Sequence, residues 1–336
     1  MQDEIQAFHQ QVNHARFHGQ AGGHYESFFL RANHPTRPLA FWIRYTIFSP
    51  RGAPGNAVGE LWAVFFDGEA NRHVVAKQEY PLVDCLFDTS AFGVRVGMAT
   101  LGPHRLQGAV ASRGQALSWD LAFEGDAVPI LLLPFKLYQG GFPAAKSLVS
   151  LPLARFSGEL SVNGEAIDVA GWVGSQNHNW GSRHTDLYAW GQVAGFDTHP
   201  ESFLEVATAK LRVGPLWTPP LTPLVLRHGK RDYVLTGLAQ GLRARGRFDY
   251  FNWEFRSATA EVEIEGVISA PREAFVGLAY RNPPGGVKHC LNSKIAACRL
   301  QLRDKRAGSI EILETKSRAA FEILTSDPGH GIPISA

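Results

Sequence analysis

After the first twenty residues the chain alternates apolar and polar side chains with period two. In the stretch 41–47, Phe41, Ile43, Tyr45 and Ile47 share one face, and Leu117, Trp119, Leu121 and Phe123 do the same. Val262 and Ile264 alternate with Glu261, Glu263 and Glu265; Cys298, Leu300 and Leu302 alternate with Arg299, Gln301 and Arg303. Such alternation predicts strands with one wet face, hence antiparallel sheet. Turn formers punctuate the pattern at 50–55, Asp67-Gly68, 112–114, Asn163-Gly164, His228-Gly229 and 283–286. Short strands at short spacing predict all-β barrels or sandwiches rather than βαβ units. Residues 1–20 differ: Ile5, Phe8, Val12 and Ala15 stand at roughly helical spacing and predict a short amphipathic helix that ends before Gly19–Gly23.

Residues 127–156 break the pattern. Pro129, Pro134, Pro143 and Pro152 interrupt an apolar run with Gly140-Gly141 inside it, which predicts neither a regular strand nor a long helix. Two readings stand: a buried crossing between two sheets, or an apolar lid over a greasy ligand. Either marks a boundary and divides the chain into 1–165 and 166–336, with about 20 residues of latitude. The echo of Glu26-Ser-Phe28 in Glu201-Ser-Phe203 hints at duplication. The stretch 242–253 interleaves arginines with aromatics, as a single-strand nucleic-acid surface does, or as a hairpin with a solvated basic turn around Gly246 does.

Composition decides between those last two. The chain has 336 residues, 45% of them hydrophobic, with 33 basic against 31 acidic groups and a net charge of +2. That balance exerts no general pull on nucleic acid, so the hairpin is preferred. The N-terminal sequence has no basic and apolar leader pattern, and no apolar run approaches the roughly 20 residues of a membrane span. Cys85, Cys290 and Cys298 are odd in number and widely spaced, which predicts reduced thiols in a cytoplasmic protein. No CxxC or HExxH zinc pattern occurs, and no glycine-rich nucleotide loop opens a helix.

The chemistry concentrates in residues 171–192. This segment holds Trp172, Trp180, Trp190, His178, His184, Tyr188, Arg183 and Asp186, with Asn177 and Asn179 flanking His178 and with Gly174 and Gly181 bracketing all three. Asn177, His178 and Asn179 carry no apolar bulk, so packing alone does not explain them. If the residues after Gly181 form a strand, Asp186, Tyr188, Trp190 and Gln192 share one face, and Leu187, Ala189 and Val193 the other. The first face suits a ligand cavity or a core with satisfied polar tips.

The Asn177-His178-Asn179-Trp180-Gly181 motif resembles that of the two-barrel, lipocalin-like family of AttH-like proteins and carotenoid 1,2-hydratase (hydroxyneurosporene synthase), with plant tocopherol cyclase and fungal Diels–Alderases further off. Residues 25–32 and 41–46 resemble the family's first two strands; residues 280–285 and 290–296 resemble its last hairpin. The resemblance implies two tandem lipocalin-like antiparallel β-barrels after a short N-terminal helix. It also implies a hydrophobic small-molecule ligand, and water addition or ring closure started by a proton. No metal and no organic cofactor is implied. Asn177 stands where the family carries an acid, and the strand at Phe203-Leu-Glu205 offers a glutamate and no tyrosine.

On this reading Asp186 and Glu205 are candidate acids, since burial keeps a carboxyl protonated. His178 is a candidate to orient or deprotonate water. Trp180, Trp190 and Tyr188 are candidates to stabilise a cation, with Asn177, Asn179 and Gln192 as further ligand contacts. The ligand class is a polyene, isoprenoid or lipid, collected with or without a peripheral membrane contact. Two alternatives are a non-catalytic lipocalin-like carrier and a carbohydrate-active β protein.

Overall fold

The computed structural model describes residues 2–336. Two antiparallel sheets dominate it, of 13 and 10 strands. In the first, strand His24–Asn33 pairs with Leu39–Ser49 on one side and with Trp172–Gly181 on the other. In the second, Leu187–Ala194 pairs with Phe203–Lys210 and with Ser309–Thr325. Each sheet thus brings its last strand home against its first, and in each that last strand also pairs with an 18-residue strand, Ala145–Val162 or Val287–Asp304. The repeated plan is a duplication of topology. The Glu26/Glu201 echo is no part of it, because Glu26 lies in the first strand of its sheet and Glu201 precedes the second strand of the other.

The sheet changes between Gly181 and Leu187, whereas residue 165 opens the short hairpin strand Glu165–Asp168 within the first sheet. That hairpin turns at Asn163-Gly164, both at positive φ (51° and 88°), where asparagine and glycine carry the least steric penalty.

Phe41, Ile43 and Tyr45 point into the first barrel's core with Leu117, Trp119, Leu121 and Phe123, and the Trp119 indole donates to the Tyr45 hydroxyl at 3.1 Å. The other face of Leu39–Ser49 is not wet. Every residue of the strand is buried, because Trp42 and Arg44 pack against the second sheet while Thr46 hydrogen-bonds Ser27 of the neighbouring strand. The strand Val262–Ser269 does keep the expected alternation of buried and partly exposed positions.

Three local expectations need correction. The N-terminal helix spans only Gln2–Gln10; Val12 and Ala15 follow it in a turn and are buried against the barrel. Residues 145–156 belong to the long strand Ala145–Val162, because its ladder shifts register between Pro152 and Ala154 and so accommodates a residue with no N–H. The basic hairpin turns at residues 249–251, where Asp249 accepts from the Phe251 and Asn252 amides; Gly246 lies within strand Arg245–Phe248. All three cysteines are unpaired, and among the described residues no helix is long and apolar enough to cross a membrane.

Candidate functional site

Period-two alternation divides the central motif between two faces. Strand Trp172–Gly181 sets His178 opposite Phe28 and Asn177 opposite Phe29. Ser175, Asn177 and Asn179 face the second sheet, and His178 and Trp180 face the opposite way. His178 is fully buried, stacked on Phe28 at 4.2 Å. Its Nδ1 donates to the Val12 carbonyl and its Nε2 lies 2.8 Å from the Glu26 carboxylate. His24 Nε2 and the Arg16 amide also reach Glu26. Burial raises the Glu26 pKa, but the hydrogen bonds from His178 and His24 outweigh it and hold the carboxyl down at about 2. Trp180 packs on Tyr138, His178 and the Arg16 guanidinium. This cluster fastens the N-terminal segment to the first barrel.

A second polar cluster fills the seam between the sheets. Arg31 donates from Nε to the Gln192 side-chain oxygen at 2.9 Å and from Nη2 to the Gln192 carbonyl at 3.0 Å. Ser175 donates to the same side-chain oxygen, and Gln192 in turn donates to Asn177 at 2.8 Å and to Glu205 at 2.9 Å. The Trp190 indole completes the set, donating to Glu205 at 2.8 Å. Burial pushes the Glu205 pKa up to about 7 against those hydrogen bonds and the nearby Arg31.

Beside this seam lies a cavity of about 230 Å³, walled by both sheets and by the segment 132–143. Trp190, Tyr188, Phe29 and Trp42 supply aromatic walls, and Leu133, Leu137 and Phe142 of the segment 132–143 line it as well. Polar groups line it too: Tyr25, His184, Tyr280 and Arg44 stack in one cluster, with Tyr188 and Glu322 near Tyr280, and Asn179, Lys146, Ser147, Thr185 and Thr236 complete the polar lining. Arg44 is buried, donates to Ser27 at 2.6 Å, and lies over the Tyr280 ring at 4.4 Å. Burial raises the pKa values of Tyr25, Tyr188 and Tyr280, so the phenols stay protonated as donors. His184 stacks on Tyr25 at 3.9 Å and donates from Nε2 to the Arg281 carbonyl at 3.2 Å. Burial, aided by the Arg44 charge, drops its pKa to about 3, so the ring is neutral with its Nδ1 lone pair available. The side-chain oxygen of Asn179 has no hydrogen-bond partner in the protein. Glu322 accepts from Lys294 Nζ at 2.7 Å and from Asn292 at 2.9 Å.

Of the residues expected at a site, the cavity wall takes Tyr188, Trp190 and Asn179. Gln192, Asn177 and Glu205 stand in the seam behind it. His178 and Trp180 are on the far face of their strand. Asp186 is an ion-paired rim residue, 2.9 Å from Arg183 and accepting from the Arg212 amide at 2.9 Å. Sequence reading missed Arg44, Tyr25, Tyr280, His184 as a wall residue, and Glu322. A signal existed for the charged ones: Arg31, Arg44, Glu205, Lys294 and Glu322 are each flanked on both sides by apolar or small residues, and all five are buried between the sheets.

No family model matches the chain, and no curated protein matches it in sequence. Solved structures do match in fold. A protein named as an AttH from Nitrosomonas europaea is 13% identical with a TM-score of 0.57, covering 94% of this chain and 95% of its own. Kievitone hydratase from Nectria haematococca is 12% identical with a TM-score of 0.58, covering 91% and 89%. CghA, solved with Sch210972, is 10% identical with a TM-score of 0.52, covering 92% and 90%. At these identities the likeness carries architecture alone: along nearly its whole length, the chain has the all-β fold of an AttH protein and of a hydratase.

Proposed function

We propose that this protein binds a compact, largely apolar small molecule with one oxygen-bearing end in the cavity between its sheets, and adds water or an internal nucleophile to it. The observation that carries this reading is a compact cluster of polar groups in an otherwise mostly apolar cavity wall. Hydrocarbon and indole supply most of the wall, and three protonated phenols, a guanidinium and a carboxylate lie near one another in it. Few, well-placed polar groups in an apolar pocket mark small-molecule sites. The volume lies just under the usual range of roughly 300–1,000 Å³, which favours an isoprenoid of modest length over a long polyene. Water as the nucleophile is part of the proposal; one fold neighbour bears the name of a hydratase.

The groups fit addition to a double bond conjugated with an oxygen. Phenol and guanidinium donors polarise that oxygen and take the charge that develops on it. Water forms the new C–O bond while Glu322 accepts its proton, the π pair moves to the conjugated oxygen, and a proton returned to carbon completes the addition. Incubation with β-ionone, a conjugated isoprenoid ketone, tests this. A product about 18 Da heavier, lost in Glu322→Gln, supports catalysis.

A carrier is the second reading, favoured by the Lys294 and Asn292 contacts that already occupy Glu322. β-Ionone bound tightly and recovered unchanged would select it. In either case the mouth suits a membrane surface for collecting ligand. Phe142 and Leu238 line the cavity and are exposed, and the ribbon of Val213, Leu216 and Trp217 follows the wall residue Leu211. Sedimentation with phosphatidylglycerol vesicles that is reduced by Leu216→Ser with Trp217→Ser supports that contact; identical sedimentation removes it.

A further inference from the structure

A second cluster lies outside the cavity wall, at the end of the second barrel. His199 sits in the turn between Leu187–Ala194 and Phe203–Lys210, His228 ends strand Leu224–His228, and Glu311 lies on Ser309–Thr325. One ligand atom from each falls within 4.8 Å of the others. The imidazole rings meet edge-on at 5.1 Å, and His228 Nε2 is 2.9 Å from the Glu311 carboxylate.

Both histidines are held from behind. Nδ1 of His228 meets the Ser202 hydroxyl at 2.8 Å, and Nδ1 of His199 meets the Thr198 hydroxyl at 3.0 Å. In this structure His228 Nε2 donates to Glu311, so the Ser202 hydroxyl donates to Nδ1; once a metal displaces Glu311 from Nε2, each hydroxyl can turn to accept from Nδ1–H and leave Nε2 as the ligand atom. Metal-binding histidines have this outer support as a rule. The turn itself is anchored: Gly195 and Ser202 pair through the backbone at 2.9 Å, and Asp197 and Thr198 bond to the Glu314 backbone. His228 is nearly buried, while Glu311 is half exposed and free to adjust its rotamer.

The geometry points to a divalent transition-metal site of zinc type, with His199, His228 and Glu311 as ligands and water in the remaining position. Zinc holds nitrogen and carboxylate oxygen at about 2.0–2.2 Å, so ligand atoms of a tetrahedral site lie roughly 3.3–3.5 Å apart. Spacings of up to 4.8 Å close by at most about 1.5 Å to reach that, and His228 Nε2 and Glu311, now 2.9 Å apart, part by about 0.5 Å as the metal takes the place of their hydrogen bond. Three ligands scattered over positions 199, 228 and 311 leave no spacing pattern in the sequence, which is why no zinc motif announced them.

The test is isothermal titration of EDTA-treated protein with zinc chloride. Wild type should bind one zinc with these ligands, and His199→Gln and Glu311→Gln should each weaken binding at least tenfold. The circular dichroism spectrum and β-ionone binding of both variants should stay as in wild type. Absence of zinc binding by the wild type would overturn the assignment. So would zinc held with unchanged affinity by both variants, which would place the metal on other histidines or on Cys85.

Discussion

The indole of Trp190 donates to the carboxyl of Glu205 at 2.8 Å, so a residue that walls the cavity is tethered to an acid hidden behind it. Glu205 has a pKa raised by burial to about 7. A carboxyl that binds its proton more tightly in the fold than in the unfolded chain makes stability fall as pH rises, from its ordinary value near 4.5 up to about 7. The slope is at most about 1.4 kcal/mol per pH unit. His184, depressed to about 3, has the opposite slope from about pH 3 to 6.5, so the wild-type curve mixes both.

Glu205→Gln isolates the term. Glutamine accepts from Trp190 but sets an amide against Gln192, whose orientation Arg31 and Ser175 fix, at a pH-independent cost of about 1–3 kcal/mol. The stability advantage of wild type over this variant should shrink between pH 5 and pH 7.5. Urea melts at both values check it; an unchanged difference would mean Glu205 is ionised throughout.

Trp190 borders the cavity and Trp180 does not. β-Ionone should quench the tryptophan fluorescence of wild type and of Trp180→Phe, and quench Trp190→Phe much less. Equal loss in both variants would place the ligand elsewhere.

His178→Ala removes a buried partner of Glu26 and the tie to Val12. Breaking a buried pair costs about 3–5 kcal/mol, so the variant should melt much earlier while its folded fraction binds β-ionone within about twofold of wild type. The reverse pattern, normal melting with lost binding, would give His178 a role at the ligand.

The sheets were legible because period two is a local property: Phe41, Ile43 and Tyr45 face one core, as do Leu117 to Phe123. The same rule, carried back from Tyr188-Ala-Trp190 into Asn177-His-Asn179, would have parted His178 from its neighbours. The cavity was not legible as a whole, since Tyr25, Arg44, His184, Tyr280 and Glu322 meet only through the packing of one barrel on the other. Sequence shows an isolated arginine in Phe41-Trp-Ile-Arg44-Tyr and an isolated glutamate in Ala320-Phe-Glu322-Ile. It does not show that they border one space.

The central claim is that the space between the sheets is the ligand site. Ala209 lines it opposite Tyr188, and Ala209→Phe fills it without touching the seam. Native mass spectrometry of wild type and Ala209→Phe, each incubated with β-ionone, is the direct measurement. A one-to-one complex in wild type that is reduced at least tenfold in the variant is the predicted result. Equal complex in both, or none in wild type, would contradict the account.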